Sequence, residues 1–424
     1  MIEPGKPSAR VDPSMAASPP TRLDSYQRKL FVFLGVATFF EGFDYVALSQ
    51  LVPALRAEYQ LSVSEGGLLL AVTGFGAPLS YVLIRRADVV GRRRMLSYTI
   101  AGYTLFSLLS GFAPSAWLFG AAQLFARAFL LAEYALSMVY VTEEFPADRR
   151  GFAVGIIQGM NSLGSIVCAG LVPMLLKTPA GFRSVYFVGA IPLCILIWLR
   201  RNVRETGRFT RLKESGQLPR PDLLRIFRTP HRRRLPLLAT IWSLTYMCCY
   251  VSILYWKEFA VQERGLVDKQ TSLALMIAAL VSLPLVFGSG KLLDAIGRKR
   301  GAVIIFGVAS ASAILAFVPH NFWLLTAGLT GVIFASSASL PLLTAFTLEL
   351  FPTELRADGF GWANNLLGRI GYVGGPFLVS QIAQHHGYSH TIAATAIFPM
   401  IALVLILTRL PETGNRELED TSAL

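Results

Sequence analysis

DVVGRRRM, residues 88–95, returns as DAIGRKRG at residues 294–301, an offset of 206 residues. Two more landmarks keep step with it. EEFPADRRG starts at Glu143 and ELFPTELRA at Glu349, again 206 apart. RETG carries Glu205 and PETG carries Glu412, 207 apart. Three landmarks at one spacing identify a unit written twice, each copy about half of the 424-residue chain.

What surrounds the landmarks is apolar. The chain is 53% hydrophobic and 15% charged, with mean hydropathy +0.52; an average soluble protein is about 25% charged. Runs of membrane-spanning length recur at about 30–52, 65–84, 95–112, 115–142, 151–173, 184–200, 235–256, 271–289, 301–319, 322–347, 361–383 and 390–409. The fold class is therefore an all-α membrane protein of twelve transmembrane helices in two pseudo-symmetric six-helix bundles. The expected organisation is a disordered cytoplasmic tail at 1–27, a first bundle at 28–200, a basic cytoplasmic linker at 201–234, a second bundle at 235–410 and a cytoplasmic tail at 411–424. The first apolar run is long enough to span, so it reads as a retained helix and not a cleaved signal.

The formal charge of +13 does not indicate nucleic acid. With both termini cytoplasmic in a plasma (inner) membrane, 30 of the 39 Lys and Arg fall on the cytoplasmic side. Arg56, Lys177, Arg183, Lys257, Arg264 and Lys269 fall opposite, and Arg127, Lys291 and Arg369 lie within or at the edge of spans. That asymmetry is the positive-inside rule. The linker, with RIFRTPHRRR at its end, reads as a solvated loop obeying the same rule. Cys168, Cys194, Cys248 and Cys249 match no metal spacing and suggest no disulfide framework, so no metal is expected. No cluster of ligands, and no nucleophile beside a base, points to an enzyme.

Ionisable side chains inside a span cost about 2.5–3.5 kcal/mol at its centre, so they face a cavity or a partner. FFEGFDYVAL, residues 39–48, places Glu41 and Asp44 three apart, close to one helix face, with Tyr45 and Leu48 on the same stripe. Two acids in low dielectric resist sharing negative charge, and one is expected to take up a proton. The competing reading is a carboxylate fixed to an Arg that only joins helices. Arg127 in the fourth span shares a face with Gln123 and Tyr134. Glu133 points elsewhere, toward another helix, and reads as a structural hydrogen-bonding group. In the eleventh span Trp362, Asn365, Arg369 and Tyr372, spaced three, four and three, form a stripe suited to an organic anion: guanidinium on carboxylate, ring on body. Gln158, Asn161, Ser162 and Ser165 in the fifth span, and Trp242, Tyr246 and Tyr250 in the seventh, line a cavity or pack helices.

The repeated loops resemble those of the major facilitator superfamily over about residues 28–414. The motifs are Asp-x-x-Gly-Arg-(Arg/Lys) at Asp88, Gly91 and Arg92 and at Asp294, Gly297 and Arg298; Glu-x-Phe-Pro-x-x-x-Arg at Glu143 and Arg150 and at Glu349 and Arg356; and Glu-Thr-Gly. The resemblance implies gating loops that form and break contacts as two halves rock. The family's Gly four residues before the loop Asp is kept as Gly290 but is Ile84 in the first copy. EGFD together with GRIGYVGGP is similar to the branch holding aromatic-acid and organic-anion proton symporters, with Glu41 where Asp is usual. The resemblance implies a transporter of a small organic anion, driven by the proton gradient with no cofactor, working as a monomer in the lipid bilayer. Arg127 and Arg369 would hold the carboxylate and Glu41 and Asp44 the proton. The alternatives are proton-antiport efflux of drugs, which two buried arginines disfavour for cations, and a transporter-like nutrient sensor.

Overall fold

The computed structural model describes residues 24–145, 147–189, 203–215, 224–352 and 355–412. Hydrocarbon supplies no hydrogen bonds to a backbone, so apolar runs of this length close their own ladders as helices. The first span is Ser25–Glu58, the second Val63–Gly74 continued by Gly76–Val90, the third Arg92–Phe112, the fourth Ala116–Glu144 and the fifth Ala147–Leu175. Residues 183–189 begin the sixth, whose remainder lies outside the described residues. The seventh is Leu235–Thr245, a π-turn Tyr246–Tyr250 and Val251–Gln262. The eighth, ninth and tenth are Asp268–Ile296, Arg298–Phe317 and Phe322–Glu349.

Past Arg356–Phe360 and a π-turn Gly361–Leu367, helix runs from Arg369 to Ala394 and then from Ile397 to Arg409. Gly387, at φ +76°, breaks it into the eleventh and twelfth spans. Nine described helices are long and apolar enough to cross a membrane, this double one counted once. The fifth span contributes a shorter apolar stretch, Gly159–Leu175.

Short-range chemistry starts the even-numbered spans that the sequence can cap locally. Ser62 and Glu65 exchange hydrogen bonds in a capping box, and Asn321 accepts from the amides of Trp323 and Leu324 at 2.9 and 3.2 Å. Two odd-numbered spans are capped from far away. The Glu205 carboxylate accepts from the Arg93 amide at 3.1 Å, starting the third span. Glu412 accepts from the amides of Arg298 and Lys299, both at 2.9 Å, starting the ninth. Gly91 (φ +110°) and Gly297 (φ +88°) make the turn that presents those amides. The repeat is thus one device built twice: a left-handed glycine, a helix start, and a carboxylate from the end of the same half.

Contacts between spans follow the same two-fold logic. The third packs on the fourth and the ninth on the tenth; the second packs on the fourth and the eighth on the tenth. Across the halves, the second meets the eleventh, the eighth meets the fifth, and the first meets the seventh. Adding six to each number maps this set of pairs onto itself.

The linker departs from the solvated-loop expectation. It holds a helix, Gly207–Glu214, and two 3₁₀ turns, Arg225–Arg228 and Pro230–Arg234. Ile226 is fully buried in the core of the second half, Phe227 meets Trp362 edge-on at 4.6 Å, and Arg234 donates to the Leu350 carbonyl. Apolar residues among the arginines dock the segment against the tenth and eleventh spans.

Two ion pairs tie the halves together at opposite ends of the bundle. Arg85 of the second span meets Asp358 at 2.8 Å. Arg56 of the first span pairs with Glu258 of the seventh, whose side chain is 0% exposed. Removing one partner of a buried pair leaves an uncompensated charge. Glu258→Ala is expected to cost about 3–5 kcal/mol, and Arg56→Met with Glu258→Met to cost less than either single change. Thermal unfolding of the purified protein checks this; singles no less stable than the double would refute it.

Candidate functional site

Close helix approach sets the position of the acids. Gly42 lies against the backbone of Asn161, and Gly164 against that of Phe39: a Cβ added at either would stand 1.8 Å from a carbonyl oxygen of the other helix. With the first and fifth spans in backbone contact, Asn161 Nδ2 donates to Glu41 Oε2 at 3.0 Å, and Ser165 Oγ donates to the Gly42 carbonyl at 3.0 Å. Asp44 is buried and turned toward Tyr103 of the third span and Arg127 of the fourth. Glu133 and Arg127 both lie within electrostatic reach of Glu41. Glu41 and Asp44 of the first span therefore share one guanidinium, with Glu133 within reach of Glu41.

Arg127 is 3% exposed, and its Nη1 has no hydrogen-bond partner among the described residues. Glu133 is 4% exposed and its Oε1 is likewise unpartnered, so that oxygen does not make the structural hydrogen bond expected of it. Buried polar atoms without partners are uncommon, and at a transport site they are groups that a solute, water or proton can satisfy. Gly76 supports Arg127 from the second span: a Cβ there would stand 2.8 Å from the Arg127 Cβ.

The second half brings tyrosines to the same place. The Arg127 guanidinium stands 5.7 Å from the Tyr45 ring centre. Tyr45 lies 6.4 Å from Tyr250, which stacks on Tyr372 at 3.9 Å. Arg369 closes the row, 4.7 Å from the Tyr372 ring and 4.9 Å from the Tyr246 ring, with its Nε buried and unpartnered among the described residues. Two arginines, one from each half, thus bracket a tyrosine cluster assembled from the first, seventh and eleventh spans. Each guanidinium faces aromatic rings, which hold a cation while leaving its N–H groups available to an anion.

The eleventh-span stripe is only partly as the 3.6-residue period predicts. The π-turn at Gly361–Leu367 shifts the register upstream of Arg369. Arg369 and Tyr372 reach the centre, but Asn364, not Asn365, faces the seventh span, accepting from Tyr246 Oη at 2.8 Å. Trp362 is turned to Phe227 of the linker. Trp242 does not line an open surface either: it is 1% exposed, donates Nε1–H to Thr347 Oγ1 at 3.2 Å and stacks on Tyr246 at 5.8 Å. Its role is to hold Tyr246 in place.

Among the gating residues, Arg298 Nη2 approaches Glu349 Oε1 at 3.5 Å, and Arg356 Nε donates to the carbonyls of Leu348 and Phe351 at 3.1 and 3.2 Å. Arg92 is buried beside Gly91. The side chains of Asp88, Glu143, Arg150, Gln158 and Asp294 lie outside the described residues. Sequence reasoning assigned no site role to Asn364 or Tyr103; neither stands out without knowing which helices touch.

Comparison with known proteins places this geometry. A family model described as Major Facilitator Superfamily matches residues 34–364 and 259–423. A "Probable 4-methylmuconolactone transporter" of Cupriavidus pinatubonensis is 27% identical over 90% of this chain and 89% of its own length. The sialic acid transporter NanX of Escherichia coli is 23% identical over 90% and 93%, and the niacin transporter NiaP of Acinetobacter baylyi 21% over 94% and 97%. Among solved structures, the inward-open xylose transporter XylE from E. coli has a TM-score of 0.73 at 17% identity, covering 93% of this chain and 98% of that one. At that identity the likeness is one of fold.

The glycine contact between the first and fifth spans is the site's support. Gly42→Ala and Gly164→Ala are each expected to lower stability by roughly 3 kcal/mol or more, because neither backbone can yield. Gly159→Ala, with nothing within 4 Å of the added carbon, is the matched control and is expected to be neutral or mildly stabilising. Thermal midpoints of the three variants decide; a Gly42→Ala midpoint equal to the Gly159→Ala one would remove the argument.

Proposed function

The chain belongs to the Major Facilitator Superfamily, and from that premise we propose that it is a proton-coupled symporter of a small organic anion. It is a multi-pass membrane transporter of small molecules, not an enzyme; the anion, the proton and the direction are the proposal. The observation that carries it is the pair of buried arginines, Arg127 and Arg369, on either side of the tyrosines where the halves meet. A carboxylate bridging them would satisfy the unpartnered N–H groups of both at once and draw the halves together. Tyr45, Tyr250 and Tyr372 would flank the body of the solute.

The acids behind Arg127 give the coupling its physical basis. Glu41 and Asp44 share one guanidinium in low dielectric, with Glu133 close to Glu41. When Arg127 is shared with an incoming carboxylate, its hold on Asp44 weakens, and a proton on Asp44 offsets the added negative charge. Solute and proton then favour each other's binding, which is what symport requires. Glu41, held by Asn161, tunes Asp44 from one helical turn away. Alternating access would rock the halves about this centre, with both termini and the Glu205 and Glu412 caps on the cytoplasmic side of a plasma (inner) membrane. Niacin and sialic acid, named for two of the relatives, are themselves carboxylates.

Proteoliposomes loaded against a panel of aromatic and aliphatic carboxylates test the reading. An inwardly directed proton gradient is expected to drive accumulation of at least one. Asp44→Asn should abolish gradient-driven accumulation while sparing solute counterflow. Arg369→Lys, which keeps the charge and loses the planar fork, should cut uptake about tenfold or more. Accumulation indifferent to the proton gradient would end the coupling argument, and full uptake by Arg369→Lys would end the carboxylate assignment.

A further inference from the structure

The first span begins beside a cavity that the transport site does not use. It has a volume of about 360 Å³ and is walled by Leu30, Phe33 and Val203, with Arg28 and Lys29 at its edge. Val32 also lines it and is 60% exposed, so the cavity opens sideways where the span emerges. Arg28 and Lys29 are both exposed, so both charges sit at the mouth and not in the wall.

Its floor is built. Tyr26, a further lining residue, accepts from the Arg204 amide at 3.1 Å, and Tyr140 Oη donates to the Arg204 carbonyl at 3.2 Å. These bonds pin the segment that follows the sixth span to the first and fourth spans. They also fix Arg204, whose guanidinium stands 5.1 Å from the Tyr26 ring. Arg28 and Lys29 therefore edge an apolar recess, and Arg204 adds a third cation beside its Tyr26 wall. Gln27 Nε2 adds a bond to the Glu144 carbonyl at 2.9 Å, so the start of the first span is held and not free to fill the recess.

We propose that this recess is a binding site for one anionic phospholipid, its phosphate among Arg28, Lys29 and Arg204 and the first part of an acyl chain against Leu30, Phe33 and Val203. Charge and setting select that occupant. The Ser25–Glu58 helix is 34 residues, about 50 Å, longer than the roughly 30 Å hydrocarbon layer, so its first turns stand at head-group level. A polar solute has no use for apolar walls there. A zwitterionic lipid gains less from three cations than an anionic one. An occupant wedged against Val203 would brace the junction of the first and sixth spans.

Native mass spectrometry of the full-length protein, titrated separately with phosphatidylglycerol and phosphatidylcholine, tests the site. One phosphatidylglycerol is expected to bind distinctly more tightly than any phosphatidylcholine. Arg28→Gln with Lys29→Gln should weaken that one about 30-fold, the factor two basic residues contribute at an anionic surface. Val32→Trp, which fills the recess and keeps the charges, should displace the same lipid. Arg93→Gln with Arg94→Gln, exposed residues outside the recess, should leave it in place. Equal retention of the two lipids by the unaltered protein overturns the proposal without any variant. So does a Val32→Trp protein that binds phosphatidylglycerol normally, or a control pair that weakens it as much as Arg28 and Lys29 do.

Discussion

A guanidinium buried in a membrane protein must be answered from another helix, because hydrocarbon supplies neither water nor counter-charge. Arg127 is answered on one side by Asp44 and Glu41 of the first span and on the other by tyrosines of the second half. For the acids to reach it, the first and fifth spans must touch at Gly42 and Gly164. For the tyrosines to reach it, the seventh and eleventh spans must lean inward. The central packing of the molecule can be followed outward from that one charge.

The ends of the bundle use charge differently. At the loops, carboxylates meet helix starts: Glu205 and Glu412 each close a six-helix unit by capping the third helix of that unit. Both partners of each cap belong to one half, so the caps brace each six-helix unit from within. The Arg56–Glu258 pair is buried instead and joins the halves directly. Separating that pair requires both charges to be rehydrated, so it ties the halves together in a way that the caps, each within one half, do not.

Much of this was legible in the residue order. The 206-residue offset, the apolar runs and the skew of Lys and Arg state a doubled six-helix membrane protein, and family membership agrees. The inward charges Glu41, Asp44, Arg127 and Arg369 were legible as well, since a charge in an apolar run must face a cavity or a partner. The helical stripe at 362–372 was legible only from Arg369 onward. The π-turns at Tyr246–Tyr250 and Gly361–Leu367 change the residues per turn, and no residue type announces them. Asn364 therefore took the place expected of Asn365, and Trp242 and Trp362 proved to be supports packed on Thr347 and Phe227. The linker's arginines masked the apolar contacts of Ile226 and Phe227 in the same way.

By itself, then, the sequence determined the twofold plan, the membrane setting and which charges must turn inward, because periodicity and the cost of burying charge are local properties that composition and spacing express. Only the tertiary structure decided which partners those charges meet. Asn161 on Glu41, Tyr103 near Asp44, Arg369 across Tyr246, and Glu258 on Arg56 are pairings between different helices far apart in the chain. They depend on how closely backbones approach and on a turn's worth of register, and both are set by packing among helices, not by any one of them.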